Sequence, residues 1–201
     1  MRVLPILMLL LTPLLGWSQQ QEKTDKMKLI YIMDPQCGWC YANGKNIAAI
    51  KEKYAKSFDF ELLVGGMWLG ADAPVGGESF ANFIEVNGGR LTEVTGAPFG
   101  QAFLEMCKDS TYTFSSLEGA AAIVWALQQD EDKGFLLAKA IQDDFYLEGK
   151  RYDIEATYKA IIQSLGLDFE AFQKDWMSPQ NIENTKAVSY THLTLPTTPY
   201  V

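Results

Sequence analysis

The sequence predicts an α/β fold in which one strand–helix–strand unit is followed by a long, purely helical stretch. Three observations predict it. Two short runs, residues 28–33 and 58–64, are rich in β-branched and aromatic residues, and helical spacing separates them. From residue 78 onward, helix start and stop signals recur without another strand-like run. The composition, 48% hydrophobic and 21% charged over 201 residues, is that of a globular chain, long enough for one domain with an inserted subdomain. A formal charge of -8 with no Lys/Arg cluster leaves nothing for a nucleic-acid backbone to bind.

The elements follow in order. Residues 28–33 (KLIYIM) form a strand stopped by Asp34-Pro35. Ile47, Ile50 and Tyr54 fall at helical spacing, so a helix is expected over 39–55, opening at Cys37-Gly38-Trp39-Cys40. Residues 58–64 (FDFELLV) make a second strand, and the pair with its helix forms a parallel βαβ unit. Residues 65–77 hold five glycines and read as a loop whose spacing fits no phosphate-binding motif. Pro98 is placed in the first turn of a helix to Lys108. Ser115-Ser116-Leu117-Glu118 reads as a capping box for a helix to Gln129. Further helices are expected over 134–146, from an N-cap at Asp153 to Gly166, and from Asp168 to Trp176.

Both ends stand apart. Residues 1–18 read as a secretory signal: Arg2, then an apolar core over 3–15, then Gly16-Trp17-Ser18. That core is shorter than the ~20 residues a bilayer span needs. The protein is therefore expected outside the cytoplasm, periplasmic or otherwise exported, and free of the membrane after cleavage. Residues 19–27 form a polar, flexible lead-in. Residues 188–201 carry no charge, with four Thr and two Pro in the last eleven. They read either as a Thr/Pro tail or, because the ten residues Val-Ser-Tyr-Thr-His-Leu-Thr-Leu-Pro-Thr match a translated sequencing adapter, as a non-native tail. The second reading places 178–187 as a linker toward missing strands. It also sets aside His192, the one histidine, and with it Ser-His-Asp, Cys-His and histidine–metal chemistry.

The cysteine pair carries the chemistry. At a helix start, unpaired backbone N–H groups and the macrodipole favour an anion. A thiol there drops from about 8.5 toward 3.5–7.5. Cys37 is the expected thiolate and nucleophile, and Cys40, one turn on, the group that resolves a mixed disulfide. Competing readings fit less well. Zinc wants four ligands, and only Cys37, Cys40 and Cys107 remain, so no metal is expected. Covalent haem needs His where Tyr41 stands. A structural disulfide closing so small a loop would stabilise little. Cys107 shares a helical stripe with Phe99, Phe103 and Met106 and reads as a buried thiol, with a third redox cysteine as the alternative.

Asp34-Pro35-Gln36-Cys37-Gly38-Trp39-Cys40-Tyr41 after a hydrophobic strand resembles the DsbA-like thioredoxin family, and within it the FrnE-like branch. Gly65-Gly66-Met67-Trp68, the run Phe145-Tyr146-Leu147-Glu148-Gly149-Lys150-Arg151-Tyr152-Asp153-Ile154, and Leu165-Gly166-Leu167-Asp168 with Phe172 extend the resemblance over residues 28–177. It implies a thioredoxin-like βαβ core over 28–77, an all-helical insertion over 78–177, and a cis-proline segment and later strands that this chain does not supply, so the C-terminal half of the sheet is expected to be missing.

The expected function is an extracytoplasmic thiol–disulfide oxidoreductase whose cofactor is its own Cys37–Cys40 disulfide. Its partners are protein or peptide thiols and disulfides and a redox partner. Gly38 and Trp39 tune the pair and supply no cation, so a milder oxidant than DsbA, at about −120 mV, is expected, toward −180 to −270 mV. Pro35, Tyr41, Met67 and Trp68 are candidates for a substrate groove. The alternatives are a non-redox peptide-binding or chaperone-like module, and a glutathione-dependent isomerase relative.

Overall fold

The computed structural model describes residues 26–193. Strand β1 (Met27–Met33) pairs in parallel with β2 (Phe58–Val64), with Met27 opposite Phe58 and Met33 opposite Val64. Helix α1 (Gly38–Tyr54) is the crossover. The helical part then runs α2 (Glu78–Thr95), α3 (Gln101–Met106), α4 (Leu117–Gln129), α5 (Glu131–Glu148), α6 (Ala156–Ser164), α7 (Phe169–Asp175) and α8 (Pro179–Leu193). This is the mixed α/β, thioredoxin-like core with a large helical insertion that the sequence predicts, and two strands make up the sheet among the described residues. The secretory-signal and most lead-in positions, and residues 194–201, lie outside the described residues.

Alternation along β1 sorts its side chains. Tyr31 and Met33 turn inward, while Ile30 and Ile32 face outward and stay exposed. β2 is covered by α4, α5 and α8. Helix α4 is the axis of the molecule, buried without a break from Gly119 to Ala126. A helix apolar on all sides, as AAAIVWA is, has no face to give to water. Trp176 fastens the C-terminal helices to it, donating from Nε1 to the Glu118 carbonyl at 2.9 Å. Around it runs an aromatic core in which Phe145 stacks on Tyr152 at 4.4 Å.

Several helix starts differ from the sequence reading. Pro98 lies ahead of α3 rather than in its first turn, because Gly96, with φ of 71°, ends α2 and the chain travels extended to the N-cap Gly100. Asp153 is drawn into a pair with Arg151 at 2.7 Å, so α6 begins from Glu155. Asp168 does cap α7, accepting from the Glu170 and Ala171 amides. The largest correction concerns 178–187. Residues expected to be a linker form α8, which continues through Val188 and Ser189 into the segment set aside as a tail. Asn181, Thr185 and Ser189, one turn apart, are its buried side, and the Asn181 amide donates to the Ala121 and Trp176 carbonyls.

Candidate active site

The site lies where β1 ends and α1 begins. Asp34-Pro35 closes the strand, the Cys37 amide donates back to the Asp34 carbonyl at 3.1 Å, and Cys37 becomes the extended N-cap of α1. In that position its sulfur receives the Cys40 amide at 3.4 Å. All three cysteines are free thiols.

The two thiols of the pair are split. The Cys37 thiol is lowered to about 7, first by a hydrogen bond from the Cys40 thiol and then by the Cys40 and Trp39 amides, against burial and the charge of Asp34. The Cys40 thiol is pushed far up by that same hydrogen bond, by burial and by the Cys37 charge. One sulfur is a thiolate near neutral pH while its neighbour holds the proton. Cys107, fully buried in the aromatic core, is raised to about 12 by burial alone.

Three groups that the sequence reading did not single out as functional surround the pair. Asp34 is buried, and its carboxylate accepts from the Gln36 amide at 2.7 Å, the Met67 amide at 2.6 Å and the Ser116 hydroxyl at 2.8 Å. Burial pushes this carboxyl up, and the three donors hold it down. Ser115, the first residue of the expected capping box, accepts from the Leu117 amide at 3.1 Å, and the Ser116 hydroxyl beside it links Asp34 to the Trp68 amide. Tyr31 shares a hydrogen bond with Cys40. Only inward alternation on β1 could have marked Tyr31 beforehand. No local pattern marks Ser116, which meets Asp34 across 82 residues of chain.

The expected groove residues part company. Met67, at 42% exposure, and Trp68 line a cavity of about 220 Å³ beside Cys37, together with Gly38 and Trp39. Pro35 does not line it: the ring is buried against Gly119, and its carbonyl accepts from the Tyr152 hydroxyl at 3.2 Å. Tyr41 also turns away, stacking on Tyr146 at 4.6 Å and donating to the Pro98 carbonyl at 2.8 Å. Gly38 has a steric reason. A Cβ there would stand 3.2 Å from the end of the Leu91 side chain of α2, which would have to shift by a few tenths of an ångström to admit it. Among the described residues, no group of three or more His, Cys, Asp or Glu side chains is arranged to hold a metal ion.

A strand–turn–helix that presents a dithiol at the helix start, with one thiol acidified and the other not, defines a thioredoxin-type redox protein. The thioredoxin family profile matches residues 30–187, and the chain belongs to that family. No curated protein matches. Among solved structures, a candidate protein disulfide isomerase from Nitrosomonas europaea is similar in fold, with a TM-score of 0.73, 21% identity, and coverage of 84% of this chain and 79% of that one. The cytosolic disulfide reductase DsbM from Pseudomonas aeruginosa is 27% identical with a TM-score of 0.66, over 82% of this chain and 76% of its own. A second structure of DsbM, with GSH, has a TM-score of 0.67 at 27% identity, over 83% and 79%. Relatives of this fold thus include a disulfide reductase and a candidate disulfide isomerase.

Proposed function

We propose that the protein is a thiol–disulfide oxidoreductase acting on protein and peptide disulfides outside the cytoplasm. The observation that carries this reading is the split pair: Cys37 lowered to about 7 beside a Cys40 that keeps its proton. In the reducing direction, the Cys37 thiolate attacks one sulfur of a substrate disulfide. A Cys37–substrate disulfide forms, and the other substrate sulfur leaves as a thiolate and takes a proton. Cys40 then gives up its proton and attacks the Cys37 sulfur, releasing the second substrate thiol and leaving the Cys37–Cys40 disulfide. The substrate gains two electrons and two protons: the protein supplies both electrons and the Cys40 proton, and solvent supplies the other proton. Run backward, the same steps oxidise a substrate dithiol.

Asp34 supports the exchange without touching substrate. It is a positioning residue that holds the end of β1, the Met67 amide and the start of α4 in one place. The extracytoplasmic assignment rests on residues 1–18, and a mature N-terminus at residue 19 in exported protein tests it. Insulin reduction with a chemical reductant as electron donor tests the activity. Cys37→Ser is expected to abolish it, and an unchanged rate would leave the non-redox binding module as the reading. The glutathione-dependent reading is favoured by the DsbM structure with GSH. It predicts that Cys40→Ser retains turnover with glutathione, whereas the dithiol mechanism predicts a stalled mixed disulfide.

A further inference from the structure

Tyr146 of α5 is 3% exposed, and its hydroxyl has no hydrogen-bond partner among the described residues. Two other buried tyrosines are satisfied: Tyr152 donates to the Pro35 carbonyl at 3.2 Å, and Tyr158 to the Tyr152 carbonyl at 2.7 Å. A buried hydroxyl without a partner carries a desolvation cost that phenylalanine would avoid. Packing does not require the oxygen. The ring alone makes the stacks on Tyr41 at 4.6 Å and Phe99 at 5.4 Å and the tilted contact with Phe103 at 5.0 Å.

The hydroxyl is placed at the cavity beside Cys37. Tyr146 is one of its walls, and its oxygen lies 4.0 Å from where a Cβ on Gly38 would stand. It is not bonded to the Cys37 sulfur, whose hydrogen bonds come from the Cys40 thiol and the Cys40 and Trp39 amides. Of the charges around Tyr146, that of Cys37 acts on it most strongly. The other walls have little to offer an anion. No Lys, Arg, Asp or Glu lines the cavity, and Trp39 and Trp68 are partly open to water. Its two side-chain amides already donate to the backbone, Gln36 to the Ser115 carbonyl at 3.0 Å and Asn87 to the Phe83 carbonyl at 2.8 Å.

In disulfide exchange the attacking, attacked and leaving sulfurs lie nearly in line, and negative charge grows on the leaving one. The helix start occupies one side of the Cys37 sulfur, so a substrate disulfide approaches from the cavity side, where Tyr146 stands. We propose that the Tyr146 hydroxyl is a catalytic hydrogen-bond donor to the leaving sulfur of the substrate disulfide. The proposal rests on the thiol-exchange reading above and adds a residue to the same site. The Cys37–substrate bond forms, the substrate S–S bond breaks, and its electron pair stays on the leaving sulfur. Tyr146 holds that charge by a hydrogen bond while keeping its own proton, until solvent delivers one to the sulfur. A donor fixed in an apolar wall needs no reorganisation as the charge appears, so it stabilises the transition state more than the bound disulfide.

The test is single-turnover stopped flow at pH 7 with the pre-reduced full chain, which supplies both electrons, and with its Tyr146→Phe variant. One substrate is a symmetrical peptide disulfide, whose alkyl thiolate is a poor leaving group. The other is dithiobis(nitrobenzoate), whose aromatic thiol is already acidic and leaves without help. The variant is expected to be about ten- to hundred-fold slower with the peptide disulfide and within about twofold of the parent with the aromatic one. Because no hydrogen bond within the protein is lost, its urea midpoint is expected to hold or rise, and Cys37 is expected to titrate near 7 as before. Equal rates for variant and parent, or equal slowing with both substrates, would overturn the role of Tyr146. A lower urea midpoint or an upward shift of the Cys37 titration would do the same. Failure of the parent chain to react with either disulfide, or rates unchanged by Cys37→Ser, would instead remove the exchange reading on which the proposal rests.

Discussion

Replacing Cys40 by alanine and by serine separates what the neighbouring thiol contributes to the Cys37 thiolate from what the helix start contributes. Lowering a thiol from 9.0 to about 7 corresponds to about 3 kcal/mol in favour of the thiolate. A hydrogen bond to a charged group contributes about 1.5–3 kcal/mol. The Cys40 thiol alone is therefore large enough to account for the whole effect, and it is the leading contribution, ahead of the Cys40 and Trp39 amides. Cys40→Ala removes this donor while the amides remain. The Cys37 titration is expected to move up by about one pH unit or more, leaving about a tenth of the thiolate at pH 7 where half was present. Cys40→Ser keeps a hydroxyl donor and is expected to stay near 7. The assay is the pH dependence of iodoacetamide alkylation, followed by intact mass so that modification of Cys37 is counted by itself. Coincident profiles for the two variants would refute the role given to the Cys40 thiol and shift the credit to the helix start.

Asp34 gives two further expectations. Asp34→Ala strands three donors, two on buried residues, and is expected to lower stability by about 3 kcal/mol in urea unfolding. Because burial raises the Asp34 carboxyl, the folded chain holds that proton more tightly than the unfolded chain. Its contribution to stability is full below the ordinary carboxylate value of about 4 and is lost as pH rises through the folded value; Asp34→Asn is expected to remove this dependence from the stability–pH curve. Cys107, raised to about 12 and fully buried, is expected to resist alkylation in the native protein at pH 8 and to react only on unfolding. The Cys37–Cys40 couple is expected between about −270 and −180 mV against a glutathione buffer; a value above about −130 mV would contradict a pair without a cation between its cysteines.

The parts that were legible in the sequence are those written in local pattern. β2 occupies residues 58–64 as read, since FDFELLV turns from alternation to a continuous apolar run over its own length. The Asp168 cap is also local, its carboxylate reaching amides two and three residues on. Misreadings arise where another partner outbids the helix start. Asp153 is taken by Arg151, two residues before it, and no local pattern tells that Ser116, beside the capping Ser115, spends its hydroxyl on Asp34. Helix α8 was missed for a different reason. Its inward positions are Asn181, Thr185 and Ser189, whose hydrogen bonds serve where apolar side chains usually sit, so hydrophobic periodicity is blind to it. Pro179 at its first position was the available signal. At the site the cysteine pair was evident, but the sorting of Met67 and Trp68 into the cavity and of Pro35 and Tyr41 out of it depends on how α2 and α5 close over α1.

The Asp34 junction is completed late in the growing chain. Its carboxylate gathers donors from residues 36, 67 and 116, so a nascent polypeptide that has not yet emerged as far as α4 lacks the last of them. Until that helix docks the junction rests on the Gln36 and Met67 amides, whereas the groups that lower the Cys37 thiol, the Cys40 thiol and the Cys40 and Trp39 amides, all lie within three residues of it. The thiolate is therefore a local property that a short stretch of chain can set, and its surroundings are a long-range one that closes last.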